Sequence, residues 1–249
     1  MGEVTEAFAA CWQAAGVHLQ EEGERAGLHL MWLKANLEPP FLEHLSFRLG
    51  NQLFFVRLED ADGAVQGPGS VGGLLAIAQG CQGHPCILQM RRNGDEWRPA
   101  RSGWGLNHAT TGAHVVPPAM LTEAPVEMTD WEVHDLAVSV VQQELEKVGR
   151  QIMSSQGNPN VDPSLWFVGD DGPEWVVVRA VRYPQSKASP PVNWANVAQN
   201  CARISDRGNF ASVAVANADE ETSRSNRPLP LWRGGALHVQ YAGLSRPVP

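Results

Sequence analysis

Lysine is scarce in this 249-residue chain: three stand beside sixteen arginines, and the basic side chains, 19 in all, are outnumbered by 27 acidic ones. The formal charge of −8 excludes a generally basic surface of the kind that grips phosphate backbones, so nucleic acid is disfavoured as the main partner. Cysteine is also sparse. Cys11, Cys81, Cys86 and Cys201 are too few and too scattered for a disulfide scaffold and suit the reduced thiols of a cytosol. Cys81-Gln82-Gly83-His84-Pro85-Cys86 offers half a tetrahedral zinc site, but no second close Cys/His pair completes it, so its thiols read as inert and buried. No stretch approaches the roughly 18 uninterrupted apolar residues of a membrane span. The acidic start, Met1 to Glu6, has neither the basic region nor the apolar segment of a secretory signal. A cytoplasmic protein without a membrane partner is expected. The spacings G-x-S-x-G, P-loop, H-E-x-x-H and G-x-G-x-x-G are missing, so no cofactor is expected and enzymatic activity is disfavoured.

What is present is the composition of a folded chain, 43% hydrophobic with 24 Gly and 18 Pro. Glu3 to Glu22 carries Val4, Phe8, Cys11, Trp12, Ala15 and Leu19 at spacings of three and four, the pattern of an amphipathic helix. After a Pro39-Pro40 break, Leu45–Leu49 and Leu53–Leu58 read as strands joined by a Gly/Asn turn. A helix over Ser70–Gly83 and a strand over Cys86–Met90 follow, and Trp97 to Leu106 closes this half. The second half opens with the clearest helix, Trp131 to about Gly149, with Asp130 as expected N-cap and Gly149 beyond its end. Strands are expected at Ser164–Val168, Trp175–Val181, Phe210–Ala216 and Leu237–Tyr241, with a helix over Val192–Ser205 and a polar loop up to Pro230. The unbroken Val176-Val177-Val178 run predicts a strand covered on both faces.

Set side by side, the halves repeat. Phe47-Arg48-Leu49-Gly50 followed by Leu53–Leu58 parallels Trp166-Phe167-Val168-Gly169 followed by Trp175–Ala180, with Arg57 matched to Arg179. Ile77-Ala78-Gln79-Gly80-Cys81 parallels Val197-Ala198-Gln199-Asn200-Cys201, and Trp97-Arg98 parallels Trp232-Arg233. Charge divides evenly, −4 over residues 1–120 and −4 over 121–249. The expected architecture is therefore α/β (α+β): two tandem helix-strand-strand-(strand)-helix-strand repeats, 1–120 and 121–249, each a small mixed sheet flanked by helices, together forming an internal pseudo-dimer.

The repeated order, with Asp162 before the first strand of the second copy and a central strand ending near Arg179, resembles the PD-(D/E)xK, restriction-endonuclease-like superfamily. That resemblance implies an Asp and a (D/E)-x-K element holding Mg²⁺ beside a scissile phosphate. Asp162 matches the first acid, but the second element falls on Val177-Val178-Arg179, and in the first half on Phe55-Val56-Arg57. Arg has too high a pKa to act as a base, and one carboxylate holds Mg²⁺ poorly. The resemblance thus implies a catalytically degenerate nuclease-like fold. The alternative, a metal-dependent nuclease with a rebuilt site, would draw on Asp162 and Glu174, with Glu132 or Glu59 as further replacements. A second likeness is to the type III secretion chaperones of bacteria, acidic cytosolic units of similar order that bind partner chains as dimers.

Nine Trp against two Tyr is an unusual balance, and Trp and Arg dominate binding hot spots. Trp97, Arg98, Trp104, Trp232 and Arg233, with Arg57 and Arg179, are the candidate binding residues. No metal ligands are expected outside the nuclease alternative. The Gly67–Gly73 stretch and the His108–His114 loop read as connectors. The functional expectation is a non-enzymatic protein that binds another protein through sheet edges and the Trp/Arg segments closing each half.

Overall fold

A computed structural model describes residues 4–35, 37, 43–220 and 227–247. The Pro39-Pro40 break, Glu3 at the start of the expected opening helix and part of the polar loop before Pro230 lie outside them. The chain divides into two compact units, Met1–Pro125 and Val126–Pro249.

In the first unit, helix α1 (Glu6–Arg25) starts at Thr5, whose hydroxyl accepts from the Phe8 amide at 3.2 Å. Strands β1 (Met31–Lys34), β2 (Leu45–Leu49) and β3 (Gln52–Asp60) form an antiparallel meander. Helix α2 (Val71–Gly80), capped by the Ser70 hydroxyl, crosses over to β4 (His84–Asn93), which runs parallel to β3. Strands β5 (Glu96–Pro99) and β6 (Leu106–His108) both pair antiparallel with β4. Phe54, Val56 and Leu58 point into one core with Phe8, Trp12, Ala15 and Leu19 of α1. The intervening Leu53 and Phe55, also buried, face the other way by the strand period of two, toward α2.

The second unit repeats this plan. Helix α3 (Asp130–Lys147) precedes the antiparallel strands β7 (Gln151–Ser155), β8 (Leu165–Gly169) and β9 (Gly172–Arg182). Helix α4 (Trp194–Cys201) crosses to β10 (Gly208–Asn217), parallel to β9, and β11 (Leu237–Ser245) closes the sheet antiparallel to β10. The strand order is β11-β10-β9-β8-β7. Val176, Val177 and Val178 are fully buried, Val176 and Val178 toward α3 and Val177 toward α4 with Trp175, Val197 and Phe210. A Cβ on Gly208 would lie 2.3 Å from the Trp175 ring, so only glycine lets β10 begin where the indole lies.

Several expectations change in register. Residues 121–125 belong to the first unit, because Asn51 Nδ2 donates to Thr122 Oγ1 and to the Ala124 carbonyl, each at 2.7 Å. The two-residue hairpin turns Gly50-Asn51 and Asp170-Asp171, and the Ala78–Cys81 and Ala198–Cys201 segments, are each 120 positions apart. In that common frame Arg57 is equivalent to Val177, and Arg179 to Glu59, so the two arginines share a face but stand two residues, about 7 Å, apart. Trp97 lies on β5 opposite Arg92, whereas Trp232 lies ahead of β11 and bridges to Glu127, so these Trp-Arg pairs are not equivalent. The short strands β1 and β7, too brief to leave a pattern, are additions.

The α3 cap is Thr129, not Asp130. Its hydroxyl accepts from Glu132 N at 3.2 Å while Glu132 Oε2 accepts from Thr129 N at 2.9 Å, a complete capping box. Asp130 is the first helical residue, its side chain 95% exposed. Thr129→Ala is expected to lower the opening free energy of α3 amides by about 1 kcal/mol, and Asp130→Ala by less than about 0.5. Native-state hydrogen exchange measures both, and the reverse order would restore Asp130 as the cap.

Candidate binding edge

The sequence-derived candidates fall in separate places. Trp97 and Trp104 are buried in the first unit's core. Trp97 and the exposed Arg98 line a groove of about 570 Å³ against Ala14, Val17 and His18 of α1, and Arg98 donates to Glu96 at 2.6 Å. Arg57, half-buried, donates to the Pro68 carbonyl at 2.9 Å and so pins the Gly67–Gly73 connector. His108 is likewise structural, its Nδ1 accepting from Thr110 N at 3.2 Å.

In the second unit Arg233 is a clamp. Its guanidinium donates to Glu132 Oε1 at 2.8 Å and to Oε2 at 2.9 Å, with the two side chains only 2% and 9% exposed. Its backbone N donates to the Val126 carbonyl, and half-buried Trp232 bridges to Glu127, so the segment before β11 is fixed to the start of α3. Removing one member of such a buried pair strands the other charge. Arg233→Ala should cost about 3–5 kcal/mol in urea unfolding; a loss below about 1 kcal/mol would show that the clamp is dispensable.

Arg179 is also fully engaged: Nη1 donates to Asp162 Oδ1 at 2.9 Å and Nη2 to Asp162 Oδ2 at 2.5 Å. Both carboxylate oxygens are therefore occupied by a guanidinium. Glu174 stands five residues earlier on β9, about 17 Å along the strand from Arg179, accepting from Asn209 Nδ2 at 2.8 Å. The fold does not bring the two acids of the nuclease alternative together, and the described residues contain no group of three or more His, Cys, Asp or Glu suited to a metal. Cys86 is buried in the core, where desolvation pushes its thiol up to about 12.

Beside this ion pair lies His134, 4% exposed on α3, which sequence reasoning did not single out. It lines a cleft of about 590 Å³ with Arg179, Arg182 and Tyr183. Burial, and secondarily the nearby Arg179 charge, lowers its pKa to about 4, so its imidazole is neutral at pH 7. An unfolded chain binds that proton near pH 6.5 and the folded one does not, so stability is full above 6.5 and falls as the pH drops toward 4. The shift corresponds to about 3 kcal/mol. His134→Gln should flatten the pH dependence of urea unfolding between 6.5 and 4 relative to the parent; an unchanged slope would place the effect on other groups.

The remaining feature is an edge. Strand β11 reads Leu-His-Val-Gln-Tyr-Ala-Gly-Leu-Ser from 237 to 245 and carries no Asp, Glu, Lys or Arg. It pairs with β10 on one side and ends the sheet on the other. From Leu237 to Tyr241 its register opposite Asn217 to Val213 is unbroken; then Ala242 and Gly243 together oppose Ser212, a bulge with Gly243 at φ +90. The other outer strands among the described residues are guarded. Strand β5 has four residues with Glu96 and Arg98, β6 has three, and β1 and β7 are each broken by a register shift. Beside β11 a groove of about 430 Å³ is lined by Tyr183–Ser186, Ala214–Ala216 and His238–Gln240, with no acidic residue, Lys or Arg among them.

Residues 131–247 match the family of a domain of unknown function, DUF8840. That span runs from the first turn of α3 to the end of β11 and so contains the edge, its groove and the Asp162–Arg179 pair; it is just under half of the chain. No curated protein and no solved structure matches the chain at a significant level.

Proposed function

We propose that the chain is a non-enzymatic protein-binding module that adds an extended polypeptide segment to the outer edge of β11. The observation that carries this reading is the contrast between the edges: β11 alone among the described outer strands combines an unbroken five-residue register with the absence of charge. Strand addition takes its affinity from main-chain hydrogen bonds and its selectivity from pockets beside alternate side chains. The uncharged groove at His238–Gln240 suits the second task. The element order is common to both likenesses; the acidic charge and the separation of Asp162 from Glu174 favour an adaptor of the secretion-chaperone kind over a nuclease. The sequence-derived Trp97/Arg98 groove is a separate surface on the first unit and offers no unpaired strand of comparable length.

A tagged chain should retain a protein partner that Val239→Lys releases, with at least tenfold less captured, while Arg98→Glu leaves capture unchanged. Circular dichroism checks that both variants fold. Capture that survives Val239→Lys and is lost in Arg98→Glu would move the site to the first unit.

A further inference from the structure

Resting on the strand-addition reading, we infer that in the absence of another partner the strand added to β11 is the β11 of a second copy, antiparallel about a two-fold axis at Val239. The regular stretch Leu237–Tyr241 has an odd number of residues with Val239 at its centre. An isologous contact must be self-complementary, so each residue's match is set by the sequence alone. Val239 meets its own copy, Leu237 meets Tyr241 twice, and His238 meets Gln240 twice.

These pairs are chemically matched on both faces. Leu237 and Tyr241 pack against the α3-side core, and Val239, on the same face by the strand period, is 39% exposed. The second copy would therefore extend an apolar surface that otherwise stops at Val239. On the other face the exposed imidazole of His238 and carboxamide of Gln240 are a donor–acceptor pair. The strand has no ionised acid or base, so two chains of charge −8 join there without opposing like charges. The bulge at Ala242-Gly243 ends the register at the residue where the symmetric pairing also ends. The second units would then share one ten-stranded sheet. Five residue pairs make a small interface, which sets the dissociation constant on the order of 10 µM.

Sedimentation of the full chain from about 1 µM to about 200 µM should show the 27.1 kDa species pass into one of twice that mass, and Val239→Lys should abolish this. Register is read by cross-linking, since the four native cysteines are all buried. Under mild oxidation Val239→Cys should give a disulfide dimer, because a residue on the axis lies about 4.5–5.5 Å from its copy, whereas His238→Cys and Gln240→Cys should not. A chain that stays monomeric at about 200 µM, or cross-links equally at all three positions, overturns the inference. If the monomeric chain still loses a heterologous partner in Val239→Lys, strand addition stands and the second copy alone falls. If Val239→Lys loses neither a partner nor a dimer, both fall.

Discussion

A β-strand satisfies its backbone only if both flanks find partners, and the last strand of an open sheet finds one. Both units of this protein face that constraint with the same plan: a three-stranded meander, a helical crossover and a parallel fourth strand, with a long helix on one face and a short helix on the other. The inner strands come closer to solving it. Val176 to Val178 pair with β10 on one flank; on the other, Val176 pairs with Leu165 of β8 and Val178 N donates to the Ser164 hydroxyl, while α3 and α4 cover their faces. What distinguishes the units is how the sheet ends: the first with short, charged β5, the second with long, uncharged β11.

The polar residues of the second unit serve that end of the sheet. The Arg233–Glu132 clamp ties the approach to β11 onto the capping box of α3. Arg179 and Asp162 neutralise each other beside a neutral His134, so the charge at this position is paired. Through Asp162, Arg179 holds β9 to the loop that precedes β8.

Much of the fold was legible in the sequence because its signals are local. The apolar stripe of α3, the non-alternating valine run and the Gly/Asn turn each announce an element through their own period or turn chemistry. Boundaries and register were less legible. The cap moved from Asp130 to Thr129 because the Thr129-x-x-Glu132 spacing is a capping box, a signature present in the sequence but passed over for the adjacent Asp130. Arg57 and Arg179 looked equivalent because both follow an apolar run, whereas the hairpin turns and the Ala-Gln-x-Cys segments share an offset of 120 residues. Among the candidate site residues, composition exaggerated the tryptophans: Trp97 and Trp104 fill the core, and Arg233 is a clamp. His134 was not singled out, and sheet edges were named only in general, for the same reason. A lone histidine on an apolar stripe and an uncharged strand acquire meaning only from what surrounds them or fails to pair with them.

We propose that the outward flank of β11 is where this protein meets another chain. Amide exchange of residues 237–241, compared between the dilute chain and its assembled state, tests it most directly. Outward-facing amides in this stretch should slow by tenfold or more on assembly while those of β5 and the Trp97 groove are unchanged. Protection that appears at β5 or α1 and leaves 237–241 unaltered would contradict it.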